Sequence, residues 1–158
     1  MAERLRNVPS GLYTAQERAR RDASAWTMVQ GILAPLQFLV FLLSAALVIR
    51  FLATGEGYFA ATLSIIAKTL LLYLIMVTGS IWEHDVFGRY LFARVFFWED
   101  AVSMVVLALH TLYLFALLTD WLEPRSLMLL ALAAYATYVL NAAQFVLKLR
   151  AARREVTP

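Results

Sequence analysis

Lys68, Glu83, Glu99, Asp100 and His110 are ionisable side chains that lie inside or at the ends of the chain's long apolar stretches. Glu99, Ser103, His110 and Tyr113 follow helical spacing and share one stripe, while Asp100 points about 100° away. Carboxyls of this kind serve proton transfer, or they simply complement the positive N-terminal end of a helix. His110 has two readings, a hydrogen bond to a neighbouring helix or ligation of a metal centre. Lys68 is read either as one half of a buried ion pair or as a ligand contact. There is no cysteine. Thiolate-held iron-sulfur clusters, zinc ribbons, thiol nucleophiles and disulfides are thereby excluded.

The elements that position these groups follow from composition. Of 158 residues, 62% are hydrophobic and 16% charged, against roughly 25% charged in soluble domains. A membrane helix needs about 20 apolar residues, and four stretches supply them: Trp26 to Leu52, Tyr58 to Trp82, Trp98 to Leu118 and Leu127 to Leu147. The expected fold is all-α, a polytopic four-transmembrane-helix bundle. Thr54-Gly55-Glu56-Gly57 and Asp120 to Ser126 make short connections. Glu83 to Phe97 mixes charge with aromatic residues and is expected to lie at the interface between helices 2 and 3. The first apolar run is too long for a cleavable signal and is read as a true span.

Lys and Arg set the expected orientation. Arg4, Arg6, Arg18, Arg20 and Arg21 in the N-terminal arm, Arg89 and Arg94 in the middle connection, and Lys148, Arg150, Arg153 and Arg154 in the tail fall on one side. Only Arg50 and Arg125 fall on the other. Residues 1–25 are thus a basic cytoplasmic arm, 26–147 the transmembrane domain and 148–158 a basic cytoplasmic tail, in the inner or intracytoplasmic membrane. Anionic lipid accounts for the basicity, so no nucleic acid is implied.

Within the spans, Gln30, Gln37 and Ser44 recur every seven residues and should face inward as interhelical glue. Lys68 lies about 12 Å from the nearer helix end and His110 about 18 Å from the cytoplasmic end, at similar depths. At that depth a histidine also suits axial ligation of a tetrapyrrole metal. Tyr135, Tyr138, Asn141 and Gln144 on the last helix are explained by packing and hydrogen bonding.

Longer strings carry more information. Ala23-Ser24-Ala25-Trp26-Thr27-Met28-Val29-Gln30-Gly31-Ile32-Leu33-Ala34-Pro35-Leu36-Gln37-Phe38-Leu39-Val40-Phe41, Ile75-Met76-Val77-Thr78-Gly79-Ser80-Ile81-Trp82-Glu83, Phe87-Gly88-Arg89-Tyr90-Leu91-Phe92-Ala93 and Phe96-Phe97-Trp98-Glu99-Asp100 occur in this order. They resemble the vinyl bacteriochlorophyllide hydratase family from about Thr14 to Leu118, and the likeness thins over the last helix. Trp82-Glu83 and Trp98-Glu99-Asp100 match the family's pattern, whereas His84-Asp85 departs from it. The resemblance implies addition of water to the C3 vinyl group of chlorophyllide a or bacteriochlorophyllide, giving a 3-(1-hydroxyethyl) product.

That reaction needs a proton for the terminal carbon, a water for the inner one, and a base. It needs no redox cofactor, and the only metal is the substrate's own Mg. A carboxyl partly removed from water holds a proton more readily, so Glu83 and Glu99 are expected to be catalytic, with Asp100 as a base. An aromatic-lined lateral cleft, including Trp82 and Trp98, is expected to hold the ring. Arg89 or Arg94 would meet a propionate, Lys68 would contact substrate, and His110 would ligate Mg or serve structure. Alternatives are a non-catalytic pigment or haem carrier and a small transporter or assembly factor. Homo-oligomerisation and contact with other bacteriochlorophyll-biosynthesis enzymes are compatible with the chain but unspecified by it.

Overall fold

A computed structural model describes residues 11–154; Arg4 and Arg6 of the basic arm and the last four residues of the tail lie outside the described residues. A short helix, α1 (Ala15–Ala23), opens at Thr14 with a reciprocal cap. The Glu17 N–H donates to Thr14 Oγ1 at 3.1 Å and the Thr14 N–H to Glu17 Oε1 at 3.2 Å. Ser24 ends α1 and caps the next helix by accepting the Trp26 N–H.

Four long helices follow: α2 (Ala25–Thr54), α3 (Tyr58–Phe87), α4 (Phe97–Leu118) and α5 (Pro124–Arg154). All four are long and apolar enough to cross a bilayer, so the chain is a multi-pass membrane protein. Gly55, at φ 74°, closes α2, and Gly57, at φ 83°, precedes α3. Such left-handed geometry costs a side chain free energy and costs glycine little. Pro124 starts α5, where its missing N–H is no loss.

Two helices end five or more residues beyond the expected bounds. α3 runs past Trp82 to Phe87, because nothing in Glu83-His84-Asp85-Val86-Phe87 interrupts a helix; Gly88, at φ 79°, is the first residue that does. The non-helical connection is therefore 88–93, followed by a 3-10 turn over Arg94–Phe96. Likewise α5 continues past Leu147 to Arg154 on residues of good helix propensity.

The helices pair as two hairpins, α2 along α3 and α4 along α5, joined mainly through α2 and α5. The neighbours α3 and α4 touch sparsely. The core between the hairpins contains Val48, Ala61, Ile65, Val106, Tyr113, Met128 and Ala131, while Leu39, Leu43, Leu70, Val77 and Leu118 point outward as a lipid-facing surface requires. The glutamine and serine stripe of α2 faces its neighbours as expected. Gln30 Nε2 donates to Thr78 Oγ1 at 2.7 Å, Gln37 is buried and bonded to Tyr138, and Ser44 bonds the Tyr135 hydroxyl at 2.6 Å.

Candidate active site

The last turns of α3, the first turn of α4 and the 88–96 connection meet at the end of the bundle where the described chain begins and finishes. Helix α1 closes this end by packing on α3. Tyr13 stacks on Phe87 with ring centroids 5.9 Å apart, Ser24 Oγ donates to Asp85 at 2.9 Å, and Trp82 Nε1 donates to Thr27 at 2.9 Å. Burial pushes the Tyr13 phenol up, opposed by Arg21 over its ring. Trp82, Phe87 and Phe96 form an edge-to-face cluster with centroids within 6.0 Å.

Beside this cluster Glu83 and Asp100 come together. Both are buried, and their carboxyls lie within interaction range of each other. Glu83 Oε1 also accepts the Ala93 N–H at 2.6 Å, and Asp100 Oδ2 accepts the Phe92 N–H at 2.9 Å. The two acids thus hold consecutive N–H groups of the connection. Phe92 is held at φ 60°, a strained conformation for a bulky side chain that persists only where its surroundings over-determine it. Arg89 is exposed and within electrostatic range of Glu83.

Glu99 is adjacent in sequence yet faces α5. Its carboxylate pairs with Lys148 Nζ at 2.9 Å, and Lys148 also donates to the Val95 carbonyl. The Asn141 Nδ2 donates to the Glu99 carbonyl at 2.9 Å, and Ser103 Oγ lies 3.0 Å from Asn141 Oδ1. Of the three expected catalytic acids, then, the fold joins Glu83 with Asp100 and assigns Glu99 a different partner. Lys148 and Asn141 went unnoticed as site neighbours. Their spacing of seven on α5 was the available signal, since it puts both on one stripe.

The remaining expected site residues scatter. Trp98 is 71% exposed and packs edge-on against Phe97. Arg94 is exposed on the 3-10 turn. His84 is exposed and stacks on Tyr90 at 4.2 Å. Lys68 and His110 lie deep between the helices and are fully buried. The Lys68 ammonium rests over the Tyr138 ring, 3.7 Å from its centroid, with no hydrogen-bond partner. His110 Nδ1 donates to the Val106 carbonyl at 2.8 Å, which leaves Nε2 as an acceptor, unpartnered and enclosed. Along α4, His110 is roughly 15 Å from Asp100. Among the described residues no cluster of three His, Cys, Asp or Glu side chains has metal-binding geometry.

The family model described as 2-vinyl bacteriochlorophyllide hydratase (BCHF) matches residues 13–151, which takes in every acid described above and extends through the last helix. The chain belongs to this family. A 2-vinyl bacteriochlorophyllide hydratase of Cereibacter sphaeroides is 65% identical over 146 residues, covering 92% of this chain and 90% of that protein. One from Rhodobacter capsulatus is 67% identical over 143 residues, covering 90% of this chain and 82% of that protein. No solved structure matches the chain. Family membership turns the question from what the bundle does to which of its polar groups carry a hydration.

Proposed function

We propose that the chain is the enzyme that adds water to the vinyl group of a chlorophyllide a or bacteriochlorophyllide macrocycle in bacteriochlorophyll biosynthesis, with Glu83 and Asp100 acting as one acid-base unit. The observation that carries the assignment to these residues is the approach of two buried carboxyls, held on consecutive backbone N–H groups, beside an aromatic cluster. Two buried carboxylates this close repel each other, and sharing one proton relieves that repulsion.

One shared proton is what the reaction uses. The protonated member gives it to the terminal vinyl carbon, the double bond becomes a single bond, and positive charge develops on the inner carbon, where the conjugated ring disperses it. Water attacks that carbon, and the other member, as carboxylate, takes the proton the water releases. The pair ends each cycle as it began, with one proton, and no oxidation state changes apart from the internal redistribution across the alkene. The Ala93 and Phe92 N–H groups fix both carboxyls, so little reorganisation is needed when charge moves.

Glu99 supports this unit without joining it; paired with Lys148, it anchors the start of α4. Arg89 and Arg94 are the candidate partners of a substrate carboxylate, and Trp98 offers an exposed apolar face next to them. The distribution of Lys and Arg supports a cytoplasmic placement of this end, hence of both termini.

The test is incubation of membranes holding the protein with chlorophyllide a, following mass for the gain of one water. Conversion by the parent, and its loss in Glu83→Gln with pigment binding retained, supports the reading. Binding with no gain of water by the parent contradicts it.

A further inference from the structure

The route by which a flat, apolar substrate reaches acids this deeply buried is not given by the acids themselves. The sparse contact between α3 and α4 supplies one. Along this seam two polar contacts tie the helices. At one end Glu83 meets Asp100; at the other the Tyr73 hydroxyl bonds Thr111 Oγ1 at 2.7 Å. Tyr73 precedes Glu83 by ten residues and Thr111 follows Asp100 by eleven, so the ties are separated by roughly 15 Å of helix.

The flank of α4 beside this seam carries an open groove of about 510 Å³, lined by Met104, Leu107, Ala108, Thr111, Leu112 and Phe115. Ligand sites for drug-sized molecules span about 300–1,000 Å³. The groove begins one turn beyond Asp100 and runs along the same side of α4. Met104, Leu107, Thr111 and Phe115 lie 4, 7, 11 and 15 residues beyond Asp100, which returns each to its side of the helix. Thr111 belongs both to the groove and to the hydroxyl tie.

We infer that the tetrapyrrole enters sideways from the lipid into this α4 groove, its vinyl edge at Glu83 and Asp100 and its opposite, carbonyl-bearing edge at the Tyr73 and Thr111 hydroxyls. The inference rests on the hydratase reading for the identity of the occupant. Three features fit that occupant: an apolar wall for the ring face, a hydroxyl pair at Thr111 within the wall, and the acid pair one turn before Met104 on the same side of α4. Entry from lipid also leaves the 88–96 connection and its carboxyl bonds in place. The chemistry is thereby shielded from bulk water.

The test first fills the groove without touching either polar tie and then removes the hydroxyl tie by itself. Ala108 is exposed on α4, and Ala133 is exposed on the lipid face of α5 as a control. The full chain in lipid nanodiscs is titrated with chlorophyllide a, and binding is followed by the pigment's absorbance shift. Ala108→Phe is expected to weaken binding at least tenfold, with Ala133→Phe and the parent alike and all three sharing one thermal midpoint. Thr111→Val, which keeps the groove's volume, is expected to weaken binding several-fold, as loss of one hydrogen bond to the ligand does. If Ala108→Phe and Thr111→Val bind as the parent does, the groove holds lipid only and the inference is overturned. Because the readout is binding, the two claims fail separately. A parent that adds water while Ala108→Phe leaves its KM unchanged keeps the hydratase and loses the groove; groove-dependent binding without water gain does the reverse.

Discussion

Two polar regions of this bundle invite the same functional reading and are built on opposite principles. At the basic end, Glu83 and Asp100 are buried with partners on hand: each other, two backbone N–H groups, and the open flank of α4 nearby. In the bundle's middle, Lys68 and His110 are more deeply buried, carry polar atoms without hydrogen-bond partners, and are enclosed by Tyr135, Tyr138 and the α4 backbone. A catalytic group needs its charge prearranged and a route for substrate. The first region has its carboxyls fixed by backbone N–H groups and, on our inference, a route along α4. The second lacks a visible route, and its ammonium is met by an aromatic face rather than an acceptor, an interaction worth up to about 2 kcal/mol when desolvated. An ionisable residue in a membrane is by default suspected of function; the contrast is the ground for our proposal that the acids carry the chemistry and the cation packs.

The largest effect expected from this contrast is on turnover. Asp100→Asn keeps an acceptor for the Phe92 N–H but cannot exchange a proton with Glu83, so hydration should fall by about 10²–10⁴-fold while thermal stability in detergent changes little. Next comes Lys68→Met, which removes a buried charge and keeps the volume. Replacing buried charge by a well-packed apolar chain is often stabilising by about 1–4 kcal/mol, and the lost cation–π contact offsets part of that. A thermal midpoint equal to or above the parent's, with unchanged turnover, is the expected result. Glu99→Gln should cost about 1–2 kcal/mol of stability by breaking its pair with Lys148, with a much smaller loss of turnover than Asp100→Asn. The smallest effect is that of Gly88→Ala. A Cβ meets nothing nearby, but φ 79° disfavours it, so unfolding should shift by about 1 kcal/mol.

Much of this arrangement was legible before any coordinates. Four apolar runs of spanning length, the glycines at 55 and 57 and the inward stripe of Gln30, Gln37 and Ser44 each follow from spacing or backbone chemistry alone. The end of α3 was misjudged by five residues, because charged residues after Trp82 read as a change of environment while the helix responds only to Gly88. The pairing of the acids was beyond reach for a related reason. Glu99 and Asp100 differ by one residue, so about 100° of rotation decides which faces α3 and which faces α5, and that rotation is set by how two hairpins dock. Spacing within one helix carries no record of it. Lys148 illustrates the same limit: counted only as tail charge, it becomes a half-buried partner because α5 extends far enough to bring it over Phe96 and Glu99.

The most direct test of the account sets Asp100→Asn against Lys68→Met in one assay, measuring the initial rate of water addition to chlorophyllide a at equal bound pigment. The account predicts a rate lowered by at least about 10²-fold for the first and a rate equal to the parent's for the second. A Lys68→Met protein that binds pigment yet adds no water, beside an active Asp100→Asn, would contradict it and move the chemistry to the middle of the bundle.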